Sequence, residues 1–151
     1  MGDRLRRLLA TFFYIGDIPP APGSVATIAG ALMAVILHDR PLMYAAVFLV
    51  ITAVGFGVSG RVEKMLKEKD PSCVVIDEVA GSLLAFYLLP LSFPVFLTAF
   101  FLFRAFDMFK IYPADRMEKL PGGVGIMMDD LCAGIYTNMV MQIAIRWAGL
   151  L

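Results

Sequence analysis

The chain has 151 residues and no net charge; 60% of its residues are hydrophobic and only 17% are charged. Soluble domains carry about 25% charged residues, so this composition is unlike that of an ordinary soluble protein and favours one domain, residues 1–151, that lies in a membrane. The sequence has no basic tract of the kind that binds nucleic acid. Cys73 and Cys132 are far apart and match neither a zinc-site spacing nor a disulfide scaffold.

Five apolar runs predict an all-α protein, a compact bundle of about five hydrophobic helices embedded in a membrane. The runs cover residues 24–37, 42–59, 74–89, 91–109 and 131–151. A helix needs about 20 residues to cross a bilayer, and the second and fifth runs provide them. The fourth run also suffices if Arg104 and Asp107 lie near its end, whereas the first and third are short enough to be partial spans or buried core helices.

Lysine and arginine are distributed unevenly among the segments that join these runs. If the N-terminus is cytoplasmic and the chain crosses the membrane five times, the cytoplasmic segments hold ten of the 13 lysines and arginines. The outer loops then hold only Arg40. Because positive charge is enriched on the cytoplasmic side of membrane proteins, the pattern predicts an odd number of crossings in this orientation.

Six carboxylates fall at the cytoplasmic ends of the predicted helices, although they come from four separate stretches of the chain. They precede the first run, open the third, close the fourth and open the fifth: Asp17, Asp77, Glu78, Asp107, Asp129 and Asp130. Magnesium takes oxygen ligands, whereas zinc prefers histidine and cysteine. The lone histidine, His38, is predicted at the opposite face, so the cluster favours Mg²⁺ bound at one membrane surface.

An acidic residue at the start of a helix also has a purely structural explanation, because it caps free N–H groups and interacts favourably with the helix dipole. This explanation suits any one of the paired acids, Asp77 with Glu78 and Asp129 with Asp130. It accounts poorly for both members of a pair, since adjacent carboxylates repel each other. It does not account for Asp107, which lies near a C-terminal end.

Arg104, Asp107 and Lys110 recur at intervals of three and therefore share one side of a helix. They form either a local ladder of ion pairs or a functional face. In the second case Arg104 and Lys110 hold phosphate oxygens and Asp107 helps to hold the metal. Gly123 belongs to a glycine-rich loop, residues 121–125, and such a loop before a helix can cradle phosphate.

Small and polar residues indicate where helices meet. Gly81 and Gly134 are expected to let helices approach each other closely. Asn138, Gln142 and Arg146 recur every four residues along the last run. They predict a polar stripe between helices, or a part of that helix outside the lipid.

The absence of other catalytic motifs narrows the mechanism. Neither cysteine is followed six residues later by arginine, no Asp-x-Asp pair is present, and the one histidine is predicted far from the acids. These absences disfavour phosphocysteine, phosphoaspartate and phosphohistidine routes. Attack on phosphorus by metal-activated water remains, with cations stabilising the developing charge.

Four stretches carry a family resemblance. They read Ala-Pro-Gly-Ser at 21–24, Ile-Asp-Glu-Val-Ala-Gly at 76–81, Phe-Arg-Ala-Phe-Asp-Met-Phe-Lys at 103–110, and Gly-Gly-Val-Gly-Ile-Met-Met-Asp-Asp-Leu-Cys-Ala-Gly at 122–134. In order and spacing they resemble the phosphatidylglycerophosphatase A family. The resemblance implies a largely helical, magnesium-dependent enzyme at the bacterial inner membrane, and the distribution of lysine and arginine predicts that its active site faces the cytoplasm. It would hydrolyse phosphatidylglycerophosphate to phosphatidylglycerol and phosphate.

The resemblance and the residue pattern together imply roles for individual residues. Catalysis would involve Asp129, Asp130, Arg104 and Lys110, with the choice of general base between the two aspartates left open. The substrate would contact Ser24, Gly123, Arg104 and Lys110. The metal ligands would be Asp77, Glu78, Asp107, Asp129 and Asp130.

The sequence departs from the family pattern at two places. Where the family loop reads Ala-Pro-Gly-Thr-x-Gly-Ser, this chain has Ala26 in place of the second glycine. In the family the lysine directly precedes a proline, whereas here two residues separate Lys110 from Pro113. These changes bear on loop geometry and head-group preference, since the acidic residues are intact.

Two other classes of function fit parts of the pattern. A cation carrier or channel component also uses carboxylates in a membrane, but its acids would be distributed through the membrane depth. A structural membrane subunit would use its acids only to cap helices, and it would bind no magnesium.

Overall fold

The structure is a computed structural model that describes residues 2–149. This part of the chain forms seven α-helices and a short 3₁₀ helix, Ile15–Asp17, and contains no strand. In chain order the α-helices are α1 (Asp3–Ala10), α2 (Pro22–Leu37), α3 (Pro41–Leu66), α4 (Ile76–Phe86), α5 (Phe93–Phe109), α6 (Ala114–Met117) and α7 (Gly123–Ala148). The predicted all-α class is confirmed.

The five longer helices, α2 to α5 and α7, coincide with the five apolar runs, and α1 and α6 are short additions. Pro22 and Pro41 occupy the first turns of α2 and α3, where a missing N–H group is harmless. Ser92 caps α5, because its hydroxyl accepts a hydrogen bond of 3.4 Å from the backbone N–H of Val95. α3 continues past the predicted end at residue 59 as far as Leu66.

The last helix begins earlier than the sequence pattern predicts. α7 starts at Gly123 and not at residue 131, so the supposed loop at 121–125 is largely helical. Gly122 precedes the helix with a φ of 63°, a backbone angle that glycine adopts without strain. The predicted end of this run, at residues 150–151, lies outside the described residues.

α4 lies at the centre of the bundle. Nine of its 11 residues are buried, and it packs chiefly against α7 and α2, with further contacts to α3 and α5. The first turn of this buried helix carries Asp77 and Glu78. Its position therefore brings two carboxylates into the interior of the protein.

Glycines bring α4 into backbone contact with α7. A Cβ atom on Gly81 would lie 2.6 Å from the backbone oxygen of Asp130, and one on Gly134 would collide with the backbone oxygen of Gly81. Only glycine leaves room for this approach. The predicted packing role of Gly81 and Gly134 is confirmed, and their contact brings Asp130 up against α4.

Polar side chains of α7 donate hydrogen bonds to the free carbonyl groups at the end of α4. The side-chain amide of Asn138 donates hydrogen bonds to the carbonyls of Ala85 at 3.1 Å and Tyr87 at 2.7 Å. Gln142 donates to the carbonyl of Leu88 at 3.3 Å. Carbonyls at a helix end lack partners within the helix, so these bonds fasten α4 to α7. The predicted interhelical stripe is confirmed for Asn138 and Gln142, whereas Arg146 is exposed.

Within residues 2–149, α3 is the one helix that is long and apolar enough to cross a membrane. Its best 18-residue window has a mean hydropathy of 2.1, and only 22% of that window is buried. Core helices of soluble proteins can also have this length and composition, but they are mostly buried. Because one such helix does not test five crossings, the membrane-embedded bundle and its five crossings stay predictions.

The glycine contact between α4 and α7 leads to a stability prediction. We expect Gly134→Ala to lower the free energy of unfolding by about 1–3 kcal/mol, because the added methyl overpacks a backbone contact. Thermal unfolding in detergent, followed by circular dichroism, measures the change. The matched control is Gly57→Ala in α3, where nothing lies within 4 Å of an added Cβ. Equal melting temperatures for the two variants would contradict the packing role.

Candidate metal centre

Five of the predicted carboxylates meet at one end of the bundle. α4 brings Asp77 and Glu78, the end of α5 brings Asp107, and α7 brings Asp129 and Asp130. Asp77, Glu78 and Asp130 form one group whose carboxylate oxygens lie within 4.8 Å of one another, and Asp107, Asp129 and Asp130 form a second. Asp130 belongs to both groups and therefore joins them into one cluster.

The sixth predicted acid has a different position. The carboxylate of Asp17, in the 3₁₀ helix, accepts a hydrogen bond of 3.1 Å from the Arg7 side chain in α1. It belongs to neither carboxylate group. Its place before the first run is therefore explained by a local ion pair.

The cluster is buried to an extent that carboxylates rarely tolerate. Asp77, Asp129 and Asp130 are at most 5% exposed. Among the described residues, Oδ1 of Asp77, Oε2 of Glu78 and Oδ2 of Asp130 have no hydrogen-bond partner. A buried ionised carboxylate is unfavourable unless it is paired or coordinates a metal. Oxygen donors left over in this way fit a hard divalent cation such as Mg²⁺.

Burial and mutual repulsion govern the ionisation of the cluster. Burial, reinforced by repulsion from Glu78, raises the pKa of Asp77 well above its usual value. Burial and the nearby Asp77 do the same to the pKa of Asp130. Burial raises the pKa of Glu78 to about 7 and that of Asp129 to about 6, where the hydrogen bond from Lys110 opposes the rise. Without a cation, the cluster therefore holds protons at neutral pH.

Two basic side chains border the cluster, but they do not form a continuous ladder of ion pairs along α5. Arg104 pairs with Asp107 through Nη1 and Oδ2 at 2.6 Å. Lys110 ends α5 with a φ of 46°, and its Nζ bonds to Oδ2 of Asp129 and to Oε1 of Glu118, both at 2.9 Å. Of the three residues spaced by three along α5, Arg104 and Asp107 thus form a local ion pair, whereas the Lys110 side chain reaches α7.

The start of α2 also reaches the cluster. A Cβ atom on Gly23 would collide with Oε1 of Glu78 and lie 3.5 Å from Nη1 of Arg104. The next residue, Ser24, is half-buried in the same first turn. Because the first N–H groups of a helix lack partners within it, this end of α2 adds hydrogen-bond donors beside Arg104.

The prediction that Asp129 and Asp130 open the last helix is wrong. They lie in its second turn, because the helix begins at Gly123. Capping of free N–H groups therefore does not explain this pair. Gly123 itself packs against the backbone of Phe56 and Gly60 in α3, and its role in substrate binding stays a prediction.

Two acids of this region were missed by the sequence reasoning. Glu118, directly after α6, bonds to Lys110. The pKa of Asp70, in the loop before α4, is raised overall. Partial burial of the carboxyl is the largest cause; the charge of Lys110 opposes the rise, and those of Glu118 and Asp107 add to it. Asp70 follows a polar segment rich in lysine and glutamate, residues 63–69, so its sequence context resembles that of any solvated loop.

Comparison with known proteins gives a consistent family. The family model described as phosphatidylglycerophosphatase A matches residues 8–145. The chain is 36% identical to phosphatidylglycerophosphatase A of Haemophilus influenzae, with 93% of this chain and 88% of the relative covered. It is 29% identical to phosphatidylglycerophosphatase A of Escherichia coli, over 89% and 80%.

A third relative bears a different name. The chain is 33% identical to a Bacteroides thetaiotaomicron protein provisionally named as a phosphatidylinositol-3-phosphatase, with 93% of this chain and 92% of the relative covered. Both names describe phosphatases. No solved structure matches the chain.

The raised pKa values of the cluster predict a pH-dependent response to magnesium. A carboxyl whose pKa is higher in the folded than in the unfolded protein destabilises the fold as pH rises through that range. Above about pH 7 both Glu78 and Asp129 of the apo protein are therefore ionised while buried, and a bound cation would offset this unfavourable charge. We expect Mg²⁺ to raise the melting temperature more at pH 8 than at pH 5.

Differential scanning fluorimetry at both pH values measures this difference. Asp130→Asn is the informative variant, because it removes the carboxylate that both groups share, and the magnesium response should largely disappear. An equal response at both pH values, or one that survives in Asp130→Asn, would show that the cation binds elsewhere.

Proposed function

Because the chain belongs to the phosphatidylglycerophosphatase A family and is accordingly a phosphatase, we propose that its carboxylate cluster binds Mg²⁺ and hydrolyses phosphatidylglycerophosphate. The products are phosphatidylglycerol and phosphate. The observation that carries the metal proposal is the buried cluster with oxygen atoms left without partners on Asp77, Glu78 and Asp130. A purely structural ion-pair network would not leave such atoms unpaired.

The proposed metal ligands divide according to the two carboxylate groups. Asp77, Glu78 and Asp130 would form one set, and Asp107, Asp129 and Asp130 the other. The sharing of Asp130 is compatible with one ion or with two neighbouring ions. When bound, the metal supplies an acidified water and neutralises charge on the phosphate.

The residues of this chain would contribute a base and a clamp. Asp129 is the better candidate for the proton acceptor, because it belongs to only one carboxylate group, whereas Asp130 belongs to both and would be occupied as a metal ligand. Arg104 and Lys110 border the cluster and would hold phosphate oxygens. Ser24 and the first N–H groups of α2 would assist them, since Gly23 lies against Arg104.

The proposed setting is the bacterial inner membrane, with the site facing the cytoplasm. The end of α3 nearest the cluster carries Arg61, Lys64 and Lys67, a bias typical of a cytoplasmic face. The five clustered acids lie at one end of the bundle, whereas a cation carrier would distribute them along a path. The carrier alternative is therefore not supported.

Loss of the proposed base leads to an activity prediction. We expect Asp129→Asn to reduce phosphate release from phosphatidylglycerophosphate at least about 100-fold, the usual scale of general-base catalysis, while the protein still folds. The matched control is Asp39→Asn, an identical chemical change at an exposed residue between α2 and α3. Loss of folded protein together with activity would instead assign Asp129 a structural role.

Metal removal tests the cofactor independently of any variant. Phosphate release by the purified protein in detergent should stop with EDTA and return when Mg²⁺ is added in excess. Release that continues in EDTA would overturn the metal proposal and leave the phosphatase assignment intact.

The proposed orientation can be tested at the two ends of α3. In a background that replaces Cys73 and Cys132, Lys67→Cys and Arg40→Cys place single thiols next to its last and first residues. With intact spheroplasts and an impermeant maleimide, we expect labelling of Arg40→Cys but not of Lys67→Cys until the membrane is permeabilised. Labelling of both before permeabilisation, or the reverse pattern, would contradict the orientation.

A further inference from the structure

An apolar groove of about 320 Å³ runs along the outside of α7, beside the metal centre. The end of α5 and the segment after it form one wall, and one face of α7 forms the other. Its lining includes Phe106, Tyr112, Tyr136, Val140 and Ile143. No charged side chain lines it within the described residues, so the groove suits a hydrocarbon ligand.

The groove is a built feature of the fold. The ring of Tyr136 packs edge-on against Phe106, with centroids 5.7 Å apart. The hydroxyl of Tyr136 donates a hydrogen bond of 2.7 Å to the backbone carbonyl of Tyr112. These two contacts tie α7 to the end of α5 and hold the walls of the groove together.

Chain connectivity places the groove next to the carboxylate cluster. Phe106 directly precedes Asp107, and Tyr112 lies two residues after Lys110. On α7, Tyr136 lies seven residues after Asp129, which is about two helical turns and therefore the same face. Each wall of the groove thus begins beside residues of the cluster.

The distance between the cluster and the groove is comparable with the length of the substrate's head group. Asp129 and Tyr136, the first groove residue of α7, are seven residues apart. Seven residues of α-helix span about 10 Å. In phosphatidylglycerophosphate a glycerol, a phosphodiester and a second glycerol lie between the scissile phosphate and the acyl chains. Arg116 stacks over the ring of Tyr112 at 5.1 Å, so the edge of the groove also offers a cation for the phosphodiester.

We propose that this groove binds one acyl chain of the phospholipid whose terminal phosphate occupies the metal centre. The proposal rests on the proposed function and extends it from the head group to the lipid tail. The groove positions the substrate along α7, and chain binding contributes to the affinity for long-chain substrates. The bulk bilayer, by contrast, would contact all exposed apolar faces equally.

Filling the groove tests the proposal. Val140→Trp introduces a large side chain into the groove, and Ile135→Trp is its control, because both residues lie on α7 and are similarly exposed, at 43% and 44%. Ile135 is not part of the lining. Phosphate release is measured for each variant with two substrates that share one head group, one with long acyl chains and one with very short chains.

For the long-chain substrate, we expect Val140→Trp to lower kcat/KM about tenfold, because each excluded methylene loses a favourable burial, with most of the effect in KM. The short-chain substrate should change less than about twofold on this scale, and Ile135→Trp should resemble the wild type with both. Equal losses with both substrates, or indistinguishable variants, would overturn the proposal.

A binding experiment separates failure of the groove from failure of the phosphatase. Phosphatidylglycerol with a diazirine near the end of one acyl chain is photolysed with the full protein in detergent, and adducts are located by mass spectrometry. Labelling concentrated at residues 136–143 and reduced in Val140→Trp supports the groove even if no phosphate is released. Labelling spread evenly over α2, α3 and α7 contradicts it, whatever the enzyme activity.

Discussion

The close approach of α4 and α7 is the constraint on which the rest of the structure depends. Gly81 and Gly134 allow backbone to touch backbone, and this contact holds Asp130 beside Asp77 and Glu78. The resulting cluster is electrostatically unfavourable without a cation, since its members lie within a few ångströms of one another away from water. Tight apolar packing thus forces together charges that repel, and the proposed metal ion would offset this repulsion.

Much of this architecture is readable from the sequence. The apolar runs locate the five longer helices, because each run is long enough to form helical turns and is bounded by proline or polar residues. The acids of the cluster stand out because charge is scarce in this chain. Gly81 and Gly134 mark the helix contact for a different reason, because a glycine within a long apolar helix leaves room for a neighbouring backbone.

The errors have identifiable physical causes. The sequence pattern treats Gly122, Gly123 and Gly125 as a loop, but close contacts with α3 and with the preceding turn favour a helix there. The spacing of three residues predicts a ladder along α5 that includes Lys110, but the left-handed backbone at this residue ends the helix and directs the side chain to Asp129. Asp70 and Glu118 reach the site through loops, and helical or strand periodicity carries no information about loop paths.

The position of Asp129 and of the apolar groove on a single helix has a consequence for selectivity. An unbroken α-helix is stiff, so the separation between Asp129 and Tyr136 is a fixed length of about 10 Å. A phospholipid whose phosphate is attached directly to the acylated glycerol would be too short to occupy both ends together. With the proposed binding of the acyl chain, the fixed length of this helix would distinguish lipids by the reach of the head group as well as by its chemistry.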